Sequence, residues 1–163
     1  MIGLIVAVDF MNFTYQHNPC AGNVPVPLVM RAGSFSWVSP KDASWGFDFH
    51  VDRVVEGSLA PKTRQAVVVI ACDAPVDGGA AQAYLYDEVA GTARYIETVG
   101  EADWGSDWGE SPDSIHVRFA NGFLYVDRCA NTSDCTQYLV TTYALRGGKF
   151  VKVYEETHER ASP

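Results

Sequence analysis

The chain has 163 residues and 47% hydrophobic content, enough apolar material for one domain with a sizeable core and no need of a metal to hold it. A formal charge of −8 with 12 Lys and Arg opposes binding to nucleic acid or an anionic membrane surface, because both depend on cations displacing counterions. No apolar run approaches the roughly 20 residues of a membrane-spanning helix, so no transmembrane segment is expected.

Residues 1–8, with Ile2, Leu4, Ile5, Val6 and Val8, fit either the remnant of a signal peptide or a first strand. A single β domain is expected over 9–157, followed by a C-terminal tail at 158–163. Strands are expected at 9–15, 28–31, 47–55, 65–72, 81–87, 93–99, 115–119, 123–128, 137–145 and 150–155. They are separated by Pro- and Gly-rich loops at 18–27, 39–40, 75–79 and 105–112. Asp77-Gly78-Gly79 reads as a tight turn. Helical signal is confined to a turn or two at 42–45 and 61–66.

Residues 47–52 alternate, with Phe47, Phe49 and Val51 on one face and Asp48, His50 and Asp52 on the other, as expected of a strand with one wet side. Residues 66–72 do not alternate. Ala-Val-Val-Val-Ile-Ala-Cys is apolar on both faces and suits a central strand covered on both sides.

The strongest local signals are Asn121-Gly122 and Gly147-Gly148, dipeptides that reach the positive φ angles of two-residue hairpin turns. A two-residue turn at Asn121-Gly122 sets Phe119 opposite Leu124, Val117 opposite Val126 and Ile115 opposite Arg128 on an apolar face. The other face pairs His116 with Asp127 and Arg118 with Tyr125. The fold class that follows is mainly β, an antiparallel sandwich or curved two-layer sheet of hairpins with little helix; the alternative is α+β.

Four cysteines allow three pairings, and Cys20–Cys72 with Cys129–Cys135 is the favoured one. The first ties a loop onto the central strand, and the second closes the polar loop between two strands. Two bridges imply an oxidising compartment: periplasm, cell surface or secretion. A zinc site would need a spacing such as C-x-x-C, which is absent, so no metal is expected at the cysteines.

The segment Asp9-Phe10-Met11-Asn12-Phe13-Thr14-Tyr15, then Cys20, then Glu56-Gly57-Ser58-Leu59, then Gln65-Ala66-Val67-Val68-Val69 and Cys72, resembles the layout of bacterial envelope lipoproteins of the LppP/LprE type. The likeness covers the first half of the chain. It implies an envelope location and brings no catalytic or metal-binding residue. The chain departs from a lipoprotein layout in that its first cysteine, Cys20, follows the aromatic segment.

For binding, the most unusual segment is 101–110, where Asp-Trp-Gly occurs twice among carboxylates. Asp103, Trp104, Asp107, Trp108 and Glu110 are the candidate partner-binding residues, since indole rings offer flat apolar area and acids meet hydroxyls or basic side chains. Asp103, Asp107 and Glu110 also have calcium-ligand chemistry, but without the twelve-residue loop pattern. His17, His50, His116 and His158 are scattered and join no nucleophile in a known order; His50, between Asp48 and Asp52, is the nearest to an acid-base arrangement. No catalytic residue and no cofactor are assigned. The expected role is a non-enzymatic secreted or envelope-associated protein binding a macromolecular partner, in the manner of an inhibitor or immunity protein. The alternatives are a carbohydrate-binding module and a hydrolase whose site assembles from separate strands.

Overall fold

The computed structural model describes residues 7–20, 24, 26–74, 78–104, 115–130 and 136–159. Among them the chain is almost entirely antiparallel β. After a short 3-10 turn at Phe10–Asn12 come β1 (Thr14–Tyr15), β2 (Leu28–Val29), β3 (Ser34–Val38), β4 (Gly46–Gly57), β5 (Gln65–Ala74) and β6 (Gly78–Val89). They are followed by β7 (Thr92–Trp104), β8 (His116–Ala120), β9 (Phe123–Cys129), β10 (Gln137–Arg146) and β11 (Lys149–Glu159). Strands β3 to β7 form a five-stranded meander, β8 to β11 a four-stranded meander, and β1 and β2 a small ribbon.

The layers follow from β5. Its Ala66, Val68, Ile70 and Cys72 face one core with Phe10, Tyr15, Leu28 and Met30 of the N-terminal segment. Its Val67, Val69 and Ala71 face a second core with Leu124, Val126 and Tyr143 of the four-stranded sheet. The seven apolar residues in succession are therefore buried on both sides, as a covered central strand requires. β4 keeps the expected alternation, with Phe49 and Val51 buried and Asp48 and Asp52 exposed.

Turn chemistry sets the register. Asn121 and Gly122 have φ of 53° and 78°, and Gly147 and Gly148 have 56° and 75°. All four lie in the left-handed region that two-residue hairpins of this twist require. Phe119 pairs with Leu124, Val117 with Val126, Arg118 with Tyr125 and His116 with Asp127. The Arg118 guanidinium lies 4.2 Å from the centre of the Tyr125 ring.

Four local expectations change. The strand expected at 9–15 begins as a 3-10 turn, because the Asp9 carboxylate accepts from the Met11 backbone N–H and the Asn12 amide, and the Asn12 N–H closes on the Asp9 carbonyl. Strand β3, with alternating Ser34, Phe35, Ser36 and Trp37, lies in a stretch where no strand was expected. Gly78 and Gly79 open β6, paired with Ala74 and Asp73, rather than forming a tight turn. Strand β11 runs through His158 and Glu159, into the expected tail. The helical signals at 42–45 and 61–66 resolve into single hydrogen-bonded turns, Trp45 N–H to Asp42 carbonyl and Thr63 N–H to Ala60 carbonyl.

Cys20 and Cys72 are joined, with Cα atoms 6.0 Å apart and both side chains buried. Cys129, at the end of β9, is also disulfide-bonded; Cys135, its expected partner, lies outside the described residues. No helix among the described residues is long and apolar enough to cross a membrane.

Candidate functional site

Register brings together residues that sequence distance hides. Ser36 pairs with Asp48, Asp48 with Asp73, Asp73 with Gly79, and Gly79 with Trp104. Directly paired residues share a face, so these five positions form one row across all five strands. The row lies on the face that β5 turns towards the second core, but beyond the ground the four-stranded sheet covers: Ser36, Asp48 and Asp73 are exposed.

Two carboxylates directly opposite one another repel, which makes this end of the sheet a local concentration of negative potential. The neighbours give partial relief. The Ser36 hydroxyl donates to Asp48 Oδ1 at 2.6 Å, and His50 Nδ1 lies 3.6 Å from Asp73 Oδ2. Around the corner of the sheet Trp37 and Phe47 stack at 6.1 Å between ring centres, and Trp45 meets Phe47 edge-on at 5.6 Å. Trp37 and Phe47, on the face turned towards the first core, border a groove of about 310 Å³ whose polar side is formed by Ser36, Ser44, Asp48 and Asp73. The adjoining turn adds another anion: Ser44 donates through its hydroxyl and its backbone N–H to the Asp42 carboxylate, holding that carboxyl below its ordinary range.

Of the expected binding residues, the backbones of Asp103 and Trp104 reach this end of the sheet at the close of β7. Asp103 is exposed and pairs with Ala80, and Trp104, paired with Gly79, ends β7. Asp107, Trp108 and Glu110 lie outside the described residues, as does most of the possible calcium set. Among the described residues no group of three or more His, Cys, Asp or Glu is placed to hold a metal ion.

The histidines divide by environment. His17 stacks on Tyr95 at 3.9 Å, with its Nδ1 buried and without a hydrogen-bond partner. His116 sits across from Asp127 and beside Tyr138, and His158 bonds Glu156 on exposed β11. At His50 the arrangement is not that of an activated nucleophile. The nearby Ser36 hydroxyl is donated to a carboxylate and not to the imidazole. Asp52, the other acid flanking His50 in sequence, is engaged by Arg53 at 2.8 Å.

Ser36, Trp37 and Asp73 belong to the site without having been candidates. The alternation of Ser34 to Trp37 was the available signal for the first two; Asp73 becomes significant only once the β4–β5 register is known. No protein-family model matches the chain, and no curated protein or solved structure shows significant similarity to it.

Proposed function

We propose that this is a non-enzymatic, extracytoplasmic binding protein that engages a basic macromolecular partner through the acidic, aromatic end of its five-stranded sheet, as an inhibitor or immunity protein would. The observation that carries this reading is the direct pairing of Asp48 with Asp73 on an exposed face. Opposed like charges weaken a sheet, and a cationic partner relieves them on binding. The net charge of −8 extends the same complementarity over longer range and speeds encounter with a basic surface. The Cys20–Cys72 bridge supports a location outside the cytoplasm, and the resemblance of the first half of the chain to envelope lipoproteins of the LppP/LprE type points the same way.

A glycan is the second reading, favoured by the groove in which Trp37 and Phe47 adjoin Ser36, Asp48 and Asp73. Aromatic faces beside carboxylates and hydroxyls are the surface chemistry that sugars recognise. A pull-down from envelope extract with the native protein and with the D48N/D73N variant separates the readings. Capture of a basic protein, released by salt and lost in the variant, is the expected result. Equal capture by both proteins overturns the proposal, and recovery of glycan alone transfers the site to the second reading.

A further inference from the structure

At the opposite end of the sandwich from Asp48 and Asp73, the two sheets leave a cavity of about 120 Å³ where β5 begins, β6 ends, β7 begins and the β10–β11 turn crosses. Its walls are Leu59, Leu85, Ile96, Leu145 and Phe150. An apolar protein cavity of roughly 150 Å³ lined by Leu, Ile and Phe accepts benzene, so the space here matches a single six-membered ring with one edge at the opening. Gly148 borders the opening, and a Cβ added there would meet no atom within 4 Å, so the turn leaves the entrance clear.

The polar side is fixed and electrically balanced. Gln65, 4% exposed, accepts from the Leu59 backbone N–H at 2.9 Å and from the Thr63 hydroxyl at 3.2 Å, and donates to Asp87 Oδ1 at 3.0 Å. Asp87 Oδ2 in turn accepts from Arg94 Nη2 at 3.2 Å, with the guanidinium side chain 74% exposed at the opening. A guanidinium has five N–H donors and a carboxylate about four acceptor sites, so both groups keep capacity for a ligand. A ligand carboxylate here would face Asp87 and an ammonium would face Arg94. A hydroxyl suits the pair, since it donates to one and accepts from the other.

We propose that this cavity binds a small, uncharged, hydroxyl-bearing ring compound of phenol size, with its ring against Leu85, Ile96 and Phe150 and its hydroxyl between Asp87 and Arg94. The test is a titration of the intact protein with phenol, toluene and benzoate, followed by the methyl resonances of Leu59, Leu85 and Ile96. Phenol is expected to shift them saturably and to bind about tenfold more tightly than toluene or benzoate, the worth of about one net hydrogen bond. Ile96→Phe, which fills the cavity, is expected to abolish the shifts; should that variant fail to fold, Leu145→Phe on the facing wall serves. Arg94→Met is expected to erase most of the preference for phenol over toluene. Absence of a saturable shift, equal affinity for phenol and toluene in the native protein, or undiminished binding in the filled variant overturns the proposal.

Discussion

Cys72 shows how one side chain links two layers. It lies on the central strand, fully buried, and fastens Cys20 of the N-terminal segment across 52 residues of sequence. A crosslink closing a loop of that length restricts the unfolded chain by an amount worth about 3 to 4 kcal/mol. The C20A/C72A variant is expected to lose that much in urea unfolding, and an unchanged midpoint would contradict it. Tyr15, Tyr84 and Tyr86 make a second residue-scale case. Burial is the main cause that pushes all three phenols far above their ordinary value, with neighbouring tyrosines adding to the rise. Raised in the folded state, these groups contribute stability that is complete below the unfolded value of about 10 and is lost as pH climbs beyond it. Alkaline titration should therefore show tyrosinate absorbance from the three appearing together with loss of β-sheet circular dichroism. Independent ionisation near pH 10 with the sheet intact would refute the assignment. The Cys20–Cys72 pairing was legible because loop and central strand both announce themselves; the burial of Glu88 was not. Its side chain is 5% exposed beside Arg64 Nε at 3.4 Å, at the end of β6 where the sequence reads as a surface.

Elements were legible where the backbone needs a special residue. Asn121-Gly122 gave both the β8–β9 hairpin and its register to the residue, because a two-residue loop leaves no freedom to slip. The Ala90-Gly91 turn between β6 and β7 was missed, since Ala90 adopts a φ of 52° that its identity does not advertise. Strand β3 was missed because five residues between two loops carry too little pattern. Packing between elements was invisible for a different reason: it depends on contacts distant in sequence. Gly57 of β4 is the clearest example. A Cβ there would fall 2.2 Å from the Phe119 ring of β8, so the glycine admits the aromatic side chain where the two sheets meet. Gly57→Ala is expected to cost about 1 to 3 kcal/mol through overpacking. The cost should shrink when Phe119 is also replaced by Ala; strict additivity of the two changes in a denaturation cycle would contradict the contact.

At the scale of the whole molecule, one strand covered on both faces organises three layers, and the two ends of its sheet are left with different chemistry. Where β5 begins, the sheets enclose an apolar cavity with a neutralised ion pair at its opening. Where it ends, opposed carboxylates stand in solvent, and on the other face the half-buried rings of Trp37 and Phe47 stack against the first core. The wet face of β4 was readable as His50 between Asp48 and Asp52, but the register that brings Asp73 beside Asp48 and places Trp104 in the same row arises only from pairing five strands. The most direct test of that end as the partner surface is carbodiimide footprinting of carboxylates in the presence and absence of envelope extract. Asp48 and Asp73 are expected to become protected while Glu156 and Glu159, on β11, keep their labelling; unchanged labelling of Asp48 and Asp73 with protection elsewhere would contradict the account.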